Sequence, residues 1–210
     1  MEKFDRARGQ ASGKKVAGGA PGEIVGRAEL KLAEAAKAFS YDFRGKVVLD
    51  IGSSTGGFTE LALRLGASKV VAVEKGTKQM KAPLRFDERI KLYEKTDIFE
   101  FKVSEGVDGF DVILADVSFV SLREVLAYAR ENLASRKTDF LVMLKPQFEA
   151  DAGQLVRGVV KNEKMRREIM RGFEEWLRLN GFLILKKQDN ETVGKVGGNR
   201  ERFYWLRLAR

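Results

Sequence analysis

Apolar positions along the chain alternate between two periods. Short, nearly continuous apolar runs stand at 46–52 (KVVLDIG), 69–74 (KVVAVE), 90–93, 110–116 (FDVILAD), 140–145 (FLVMLK), 181–186 (GFLILK) and 202–208 (RFYWLRL), which predicts seven strands. Helical patterns lie between most of them, at 26–39 (GRAELKLAEAAKAF), 57–65, 77–85, 121–133 and 161–180, the last closed by Asn180-Gly181 as a stop signal. Strands that are apolar throughout and spaced by helices predict an α/β, doubly wound, mostly parallel sheet covered on both faces. No helix pattern separates the last two strands, so an antiparallel pair is expected where the sheet ends.

Residues 1–22 hold five glycines and five Lys or Arg against two acids. With almost nothing to bury, they read as a flexible basic arm ahead of one domain over 23–210. In a chain of 210 residues that domain is long enough for a real core.

Composition removes several chemistries. Without cysteine there are no disulfides, thiolate metal sites or thiolate nucleophiles, and without histidine there is no Ser-His-Asp triad. Neither a metal nor a membrane partner is expected, because the Cys and His ligands of most zinc and iron sites are missing and no apolar run approaches a span. The charged N-terminus lacks a signal-peptide core, so a cytoplasmic protein is the expectation. A net charge of +9 suggests a polyanionic partner, nucleic acid first.

The loop after the first strand reads Asp50-Ile51-Gly52-Ser53-Ser54-Thr55-Gly56-Gly57-Phe58 and opens a helix. Doubly wound sheets bind nucleotide-like ligands there. A dinucleotide fingerprint needs glycine where Ser54 stands, so a ligand without phosphates fits better. Glu74, 24 residues after Asp50, is placed for a ribose diol, and Asp97 for an adenine amino group. Together these resemble the S-adenosylmethionine site of a class I methyltransferase, with Asp116 at the same edge. Asp116 and Lys145 are polar residues at strand ends, where active sites of this architecture lie.

From about residue 26 onward the chain resembles the TlyA branch of the FtsJ-like ribose 2′-O-methyltransferases. The matching pieces are GRAELKLAEA (26–35), LDIGSSTGGFT (49–59), AVEKGTKQM (72–80), ADVSFVSL (115–122), LKPQFEA (144–150), RGVVKN (157–162) and GNRE (198–201). The resemblance implies a catalytic tetrad of Lys31, Asp116, Lys145 and Glu201. A ribose hydroxyl is a poor nucleophile, so alignment and proton removal are the protein's task. Lys145 is the expected base, held by Asp116 and Glu201, with Lys31 at the substrate oxygen or the adjacent phosphate. Burial beside a second ammonium favours the neutral amine a base needs, whereas the two carboxylates oppose it.

The chain departs from the family pattern in three places: Ala28-Glu29 follow Arg27 where two glycines are usual, Glu74 replaces an aspartate, and Asp97 stands where asparagine is frequent. The family also usually begins with a small RNA-binding module, for which 22 residues are too few. Ribosomal RNA, at a cytidine, or an assembled ribosomal subunit is the implied partner, for a monomer or weak homo-oligomer. Candidate RNA contacts are Arg27, Arg157, Lys161, Arg166 and Arg200, with Phe119, Phe148 and Tyr204 as stacking platforms. A base N-methyltransferase would carry an Asn/Asp-Pro-Pro-aromatic turn at 116–119, where Asp-Val-Ser-Phe stands. The remaining rivals are a non-catalytic ribosome-binding module that kept the fold and a haemolysin-like activity.

Overall fold

A computed structural model describes residues 26–103, 109–190 and 199–209. The arm expected over 1–22 lies outside them. The described residues form four α-helices, α1 (Arg27–Phe39), α2 (Gly57–Arg64), α3 (Leu122–Asn132) and α4 (Glu163–Leu179), and nine strands. These are β1 (Val47–Ile51), β2 (Lys69–Glu74), β3 (Ile90–Glu94), β4 (Val112–Ala115), β5 (Asp139–Leu144), β6 (Leu155–Val156), β7 (Val159–Val160), β8 (Phe182–Asp189) and β9 (Arg202–Leu208).

Seven strands form one sheet in the order β3-β2-β1-β4-β5-β9-β8. Strands β1 to β5 pair in parallel, whereas β9 runs antiparallel to both β5 and β8. The chain therefore returns from the edge strand β8 and inserts β9 inside it. This is the seven-stranded, mostly parallel, doubly wound sheet that the pattern predicts.

Successive strand side chains face opposite sides of the sheet, so each strand feeds two cores. Leu49, Ile113, Phe140 and Val142 pack under α3 and α4 with Val125, Phe173 and Leu177. Val48, Val112, Leu114, Leu141 and Met143 pack under α1 and α2 with Leu32, Ala36, Leu61 and Ala62. Leu32, Ala35, Ala36 and Phe39 recur at helical spacing and are all buried, which fixes the face of α1 turned to the sheet.

Two elements differ from expectation. The helix expected over 77–85 is a loop ending in a short 3-10 turn, Leu84–Phe86. Met80 and Leu84 have helical spacing, but Lys78 is left-handed (φ 53°) and Pro83 bars a helical bond and restricts Ala82. The β6–β7 hairpin, which the pattern did not predict, precedes the last long helix, because Arg157 (φ 49°) and Gly158 (φ 77°) turn the chain there. Helix α4 then starts after Asn162, whose side chain accepts from Met165 N.

Candidate active site

The loop between β1 and α2 turns sharply beneath a cleft of about 710 Å³. Gly56 is left-handed (φ 94°), and a Cβ there would strike Leu84 Cδ2. Gly57 faces α1, where a Cβ would lie 3.1 Å from Ala28 Cβ and 3.2 Å from Glu29 N. Glycine therefore lets the two helices approach closely, and a side chain there would press on α1. Glu29, one of the departures from the family pattern, is buried and ion-paired with Arg64 of α2.

Asp50 lies on the α1/α2 side of the sheet and is buried. Its Oδ2 accepts from the Thr59 hydroxyl at 2.6 Å, while Oδ1 has no hydrogen-bond partner. Burial pushes this carboxyl up to about 7, against the Thr59 bond, with Asp116 and Glu74 adding repulsion. The Ser53 hydroxyl is also buried without a partner. Two unpaired buried oxygens under a cleft of nucleoside size suit a ligand with a cationic, hydrogen-bonding end, so these residues fit S-adenosylmethionine.

Gly52, Ser54, Glu74, Asp97 and Asp116 of the expected cofactor set line the cleft together. Glu74 is engaged within the protein: it accepts from Ser54 N (2.8 Å) and Gly76 N (2.6 Å). Gln79 bridges Glu74 and the Ser54 hydroxyl, a role the sequence reading missed. Asp97 receives Lys75 Nζ at 2.8 Å, and that ammonium holds its carboxyl below the usual range. Thr55 is exposed at the loop tip. Phe58 corrects the expected set, because its ring lies in the core against Phe203 at 5.9 Å, on the face of α2 turned to the sheet.

The strand register explains how the tetrad residues converge. Lys145 follows Leu144, whose partner on β9 is Arg202, so the next step of the ladder sets Lys145 opposite Glu201. Asp116, Lys145 and Glu201 share the parity of Leu114, Met143 and Phe203, all in the core under α1. The sheet thus turns all three toward the helix that carries Lys31. Two largely buried ion pairs result, Lys31–Glu201 at 2.5 Å and Lys145–Asp116 at 2.6 Å. Glu201 was expected at Lys145. It pairs instead with Lys31, since α1 crosses above the start of β9.

Two further residues at this edge lie in recognised motifs but received no role from sequence. The Ser118 hydroxyl accepts from Lys145 Nζ at 2.9 Å. Glu149, nearly buried, accepts from Leu122 N (2.6 Å) and the Ser121 hydroxyl (2.9 Å), clasping the loops after β4 and β5; burial pushes its carboxyl up. Neither contact has a local signal, since the partners lie 27 or more residues apart.

The expected RNA contacts separate into two groups. Arg157, Lys161 and Arg200 are exposed. Arg166 is not: it is buried, donating to Arg200 O (3.0 Å) and pairing with Asp189 (2.8 Å), which makes it a structural residue. The Arg27 side chain lies outside the described residues. Phe119 is 92% exposed at φ 64°, with the Phe148 ring 5.2 Å away. Tyr204 is core, since its hydroxyl donates to Glu174 and burial raises its pKa. Among the described residues no acidic group is placed to hold a metal ion, and no helix is long and apolar enough to cross a membrane.

The sheet order, its single antiparallel strand and the glycine-turned loop after β1 define a class I methyltransferase fold. The family model described as FtsJ-like methyltransferase matches residues 24–207, and the chain belongs to that family. It is 37% identical to the 23S rRNA (cytidine-2′-O)-methyltransferase TlyA of Campylobacter jejuni, covering 86% of this chain and 70% of that protein. The 16S/23S rRNA (cytidine-2′-O)-methyltransferase TlyA of Mycobacterium tuberculosis is also 37% identical, over 87% and 68%. A solved structure from Streptococcus thermophilus, provisionally assigned as a hemolysin, superposes with a TM-score of 0.82 at 30% identity, covering 90% of this chain and 69% of its own.

Proposed function

We propose that this chain methylates a ribose 2′-hydroxyl of ribosomal RNA, at a cytidine, with Lys31, Asp116, Lys145 and Glu201 as the catalytic set. The observation that carries the reading is the pair of buried ion pairs, Lys145–Asp116 and Lys31–Glu201, on one side of one sheet edge. The TlyA relatives, both cytidine-2′-O-methyltransferases of ribosomal RNA, point the same way.

S-adenosylmethionine supplies a methyl group already activated by its sulfonium charge. What is left to the protein is alignment and one proton. Lys145 accepts the proton of the 2′-hydroxyl, and Asp116 keeps its Nζ in place. Lys31, held by Glu201, faces the substrate oxygen or its neighbouring phosphate and stabilises the charge that develops there. Asp50 and Ser53 offer their free oxygens to the amino-acid end of the cofactor, Glu74 and Gln79 hold the ribose side, and Asp97 beside Phe99 receives the adenine. Arg157, Lys161 and Arg200 contact phosphates, and Phe119 stacks on an unpaired base. Such an enzyme works in the cytoplasm, where its RNA is.

The test is transfer of a labelled methyl group to purified large and small ribosomal subunits, naked ribosomal RNA and tRNA, followed by alkaline hydrolysis. Label in alkali-resistant dinucleotides from ribosomal RNA is expected. Intact cofactor binding with no label on any RNA would overturn the proposal and favour a non-catalytic ribosome-binding module.

A further inference from the structure

Lys145 has a second fixed partner besides Asp116. A neutral amine carries two N–H bonds and one lone pair around nitrogen, the remaining direction being its own Cε. The Asp116 carboxylate lies 2.6 Å from the nitrogen in an ion pair, and its negative charge repels a lone pair on that side, which leaves the lone pair two directions. Ser118 Oγ, accepting at 2.9 Å, claims one of them. The lone pair is then restricted to a single direction, and the protonated form puts its third N–H along that same line. The Ser118 bond and the Asp116 ion pair both persist when the proton arrives.

We propose that Ser118 is a positioning residue that aims the Lys145 nitrogen at the substrate hydroxyl. The inference rests on the reading of Lys145 as base and adds a fifth functional side chain to the set. The loop is built to hold this serine in place. Val117 before it is buried, whereas Phe119 after it adopts a left-handed backbone (φ 64°), a turn that costs a non-glycine residue free energy. Three residues on, Ser121 caps α3 by accepting from Arg123 N. Glu149 receives both the Ser121 hydroxyl and Leu122 N, and so ties this loop to the segment that follows Lys145. Ser118 and Lys145 are therefore joined directly and again through the Glu149 clasp. Ser118 itself is exposed, so the substrate covers this bond when it binds and shields it from water. The hydroxyl forms and breaks no covalent bond.

Ser118→Ala, Ser118→Thr and Lys145→Ala are compared on purified large ribosomal subunits, with cofactor affinity measured by calorimetry as the check on folding. Ser118→Ala should lower kcat by about 10- to 100-fold while the subunit KM and cofactor affinity stay within about twofold, since only aim is lost. Ser118→Thr, which keeps the hydroxyl, should return to within about threefold of wild type. A Ser118→Ala enzyme with wild-type kcat beside an inactive Lys145→Ala enzyme overturns the role of Ser118 alone. So does a raised KM at unchanged kcat, or a threonine variant as slow as the alanine one. An active Lys145→Ala enzyme overturns the underlying assignment of the base.

Discussion

Thr59 donates its hydroxyl to Asp50 at 2.6 Å from the first turns of α2, and by doing so satisfies only one of the two carboxylate oxygens. The other is buried beneath the cofactor loop. A carboxylate held this way is costly to ionise without a cation beside it, so on the proposed reading of the site cofactor binding is linked to one proton.

The sign of that linkage sets the pH dependence. Asp50 rises from its ordinary value of 3.8 to about 7 in the folded chain. A raised acid contributes its stability fully below the unfolded value and loses it as pH climbs through the folded one. Wild type should therefore lose stability relative to Asp50→Asn between about pH 4 and pH 7, with no further divergence above pH 8. If the cofactor binds the ionised form, its affinity for wild type should rise about tenfold from pH 6 to pH 8 relative to the variant, which carries any titration of the ligand itself. Thermal melts and calorimetric titrations at pH 5 to 8 check both. Parallel curves for the two proteins would show that Asp50 does not titrate in this range.

Contact between α1 and α2 at Gly57 gives a second prediction. A methyl group there meets Ala28 Cβ at 3.1 Å and Glu29 N at 3.2 Å, and the helix it pushes carries Lys31. Gly57→Ala should cost about 1–3 kcal/mol of stability by overpacking. It should also slow methyl transfer more than it weakens cofactor binding. A variant with wild-type melting temperature and turnover would mean that α1 yields freely at this point.

The elements that sequence reading located best are those whose partners are neighbours in the pattern. Asp116 and Lys145 stand out because each ends an apolar run, whereas it is the register of the folded sheet that puts them on one face with Glu201. Pairing within the set was not legible: Glu201 chooses Lys31 over Lys145 because of where α1 crosses, which no local signal encodes. Arg166 looked like its neighbours in a basic run. It is set apart by Asp189 at the end of β8 and by the carbonyl of Arg200 just ahead of β9. Met80 and Leu84 imitate a helix, but Met80 is buried from an irregular loop that Pro83 keeps from coiling. Ser118 and Glu149 have partners whose positions only the folded sheet edge supplies.

The division within the basic residues makes a third prediction. Arg157 and Lys161 are exposed on and beside the β6–β7 hairpin, which Asn199 ties to the start of β9 through Val160 N and Gly158 O. If they contact phosphates, Arg157→Ala and Lys161→Ala should each weaken RNA binding and reduce the slope of log affinity against log salt by about one. Arg166→Ala should behave differently, lowering stability by about 2 kcal/mol or more because Asp189 and the Arg200 carbonyl lose their partner. Filter binding across a salt series and denaturant melts separate the two behaviours. Unchanged salt slopes in both surface variants would place the RNA elsewhere.

The last prediction concerns Phe119, whose ring is 92% exposed although its backbone is in the left-handed region. Exposing a large apolar ring on a strained residue gains the free protein nothing, so its removal should change stability by less than about 0.5 kcal/mol. Its position, one residue after Ser118 and 5.2 Å from the Phe148 ring, sets it beside the proposed base. A splayed-out base stacked on it would gain about 1–3 kcal/mol. Phe119→Ala should accordingly lower kcat/KM for RNA by about 5- to 150-fold, with Phe119→Trp close to wild type. Phe86, 74% exposed on the turn between β2 and β3, is the control, and Phe86→Ala should leave RNA kinetics unchanged. Equal losses in the two alanine variants would assign the effect to general surface hydrophobicity, whereas a loss confined to Phe119 identifies the ring as a stacking surface for the target nucleotide.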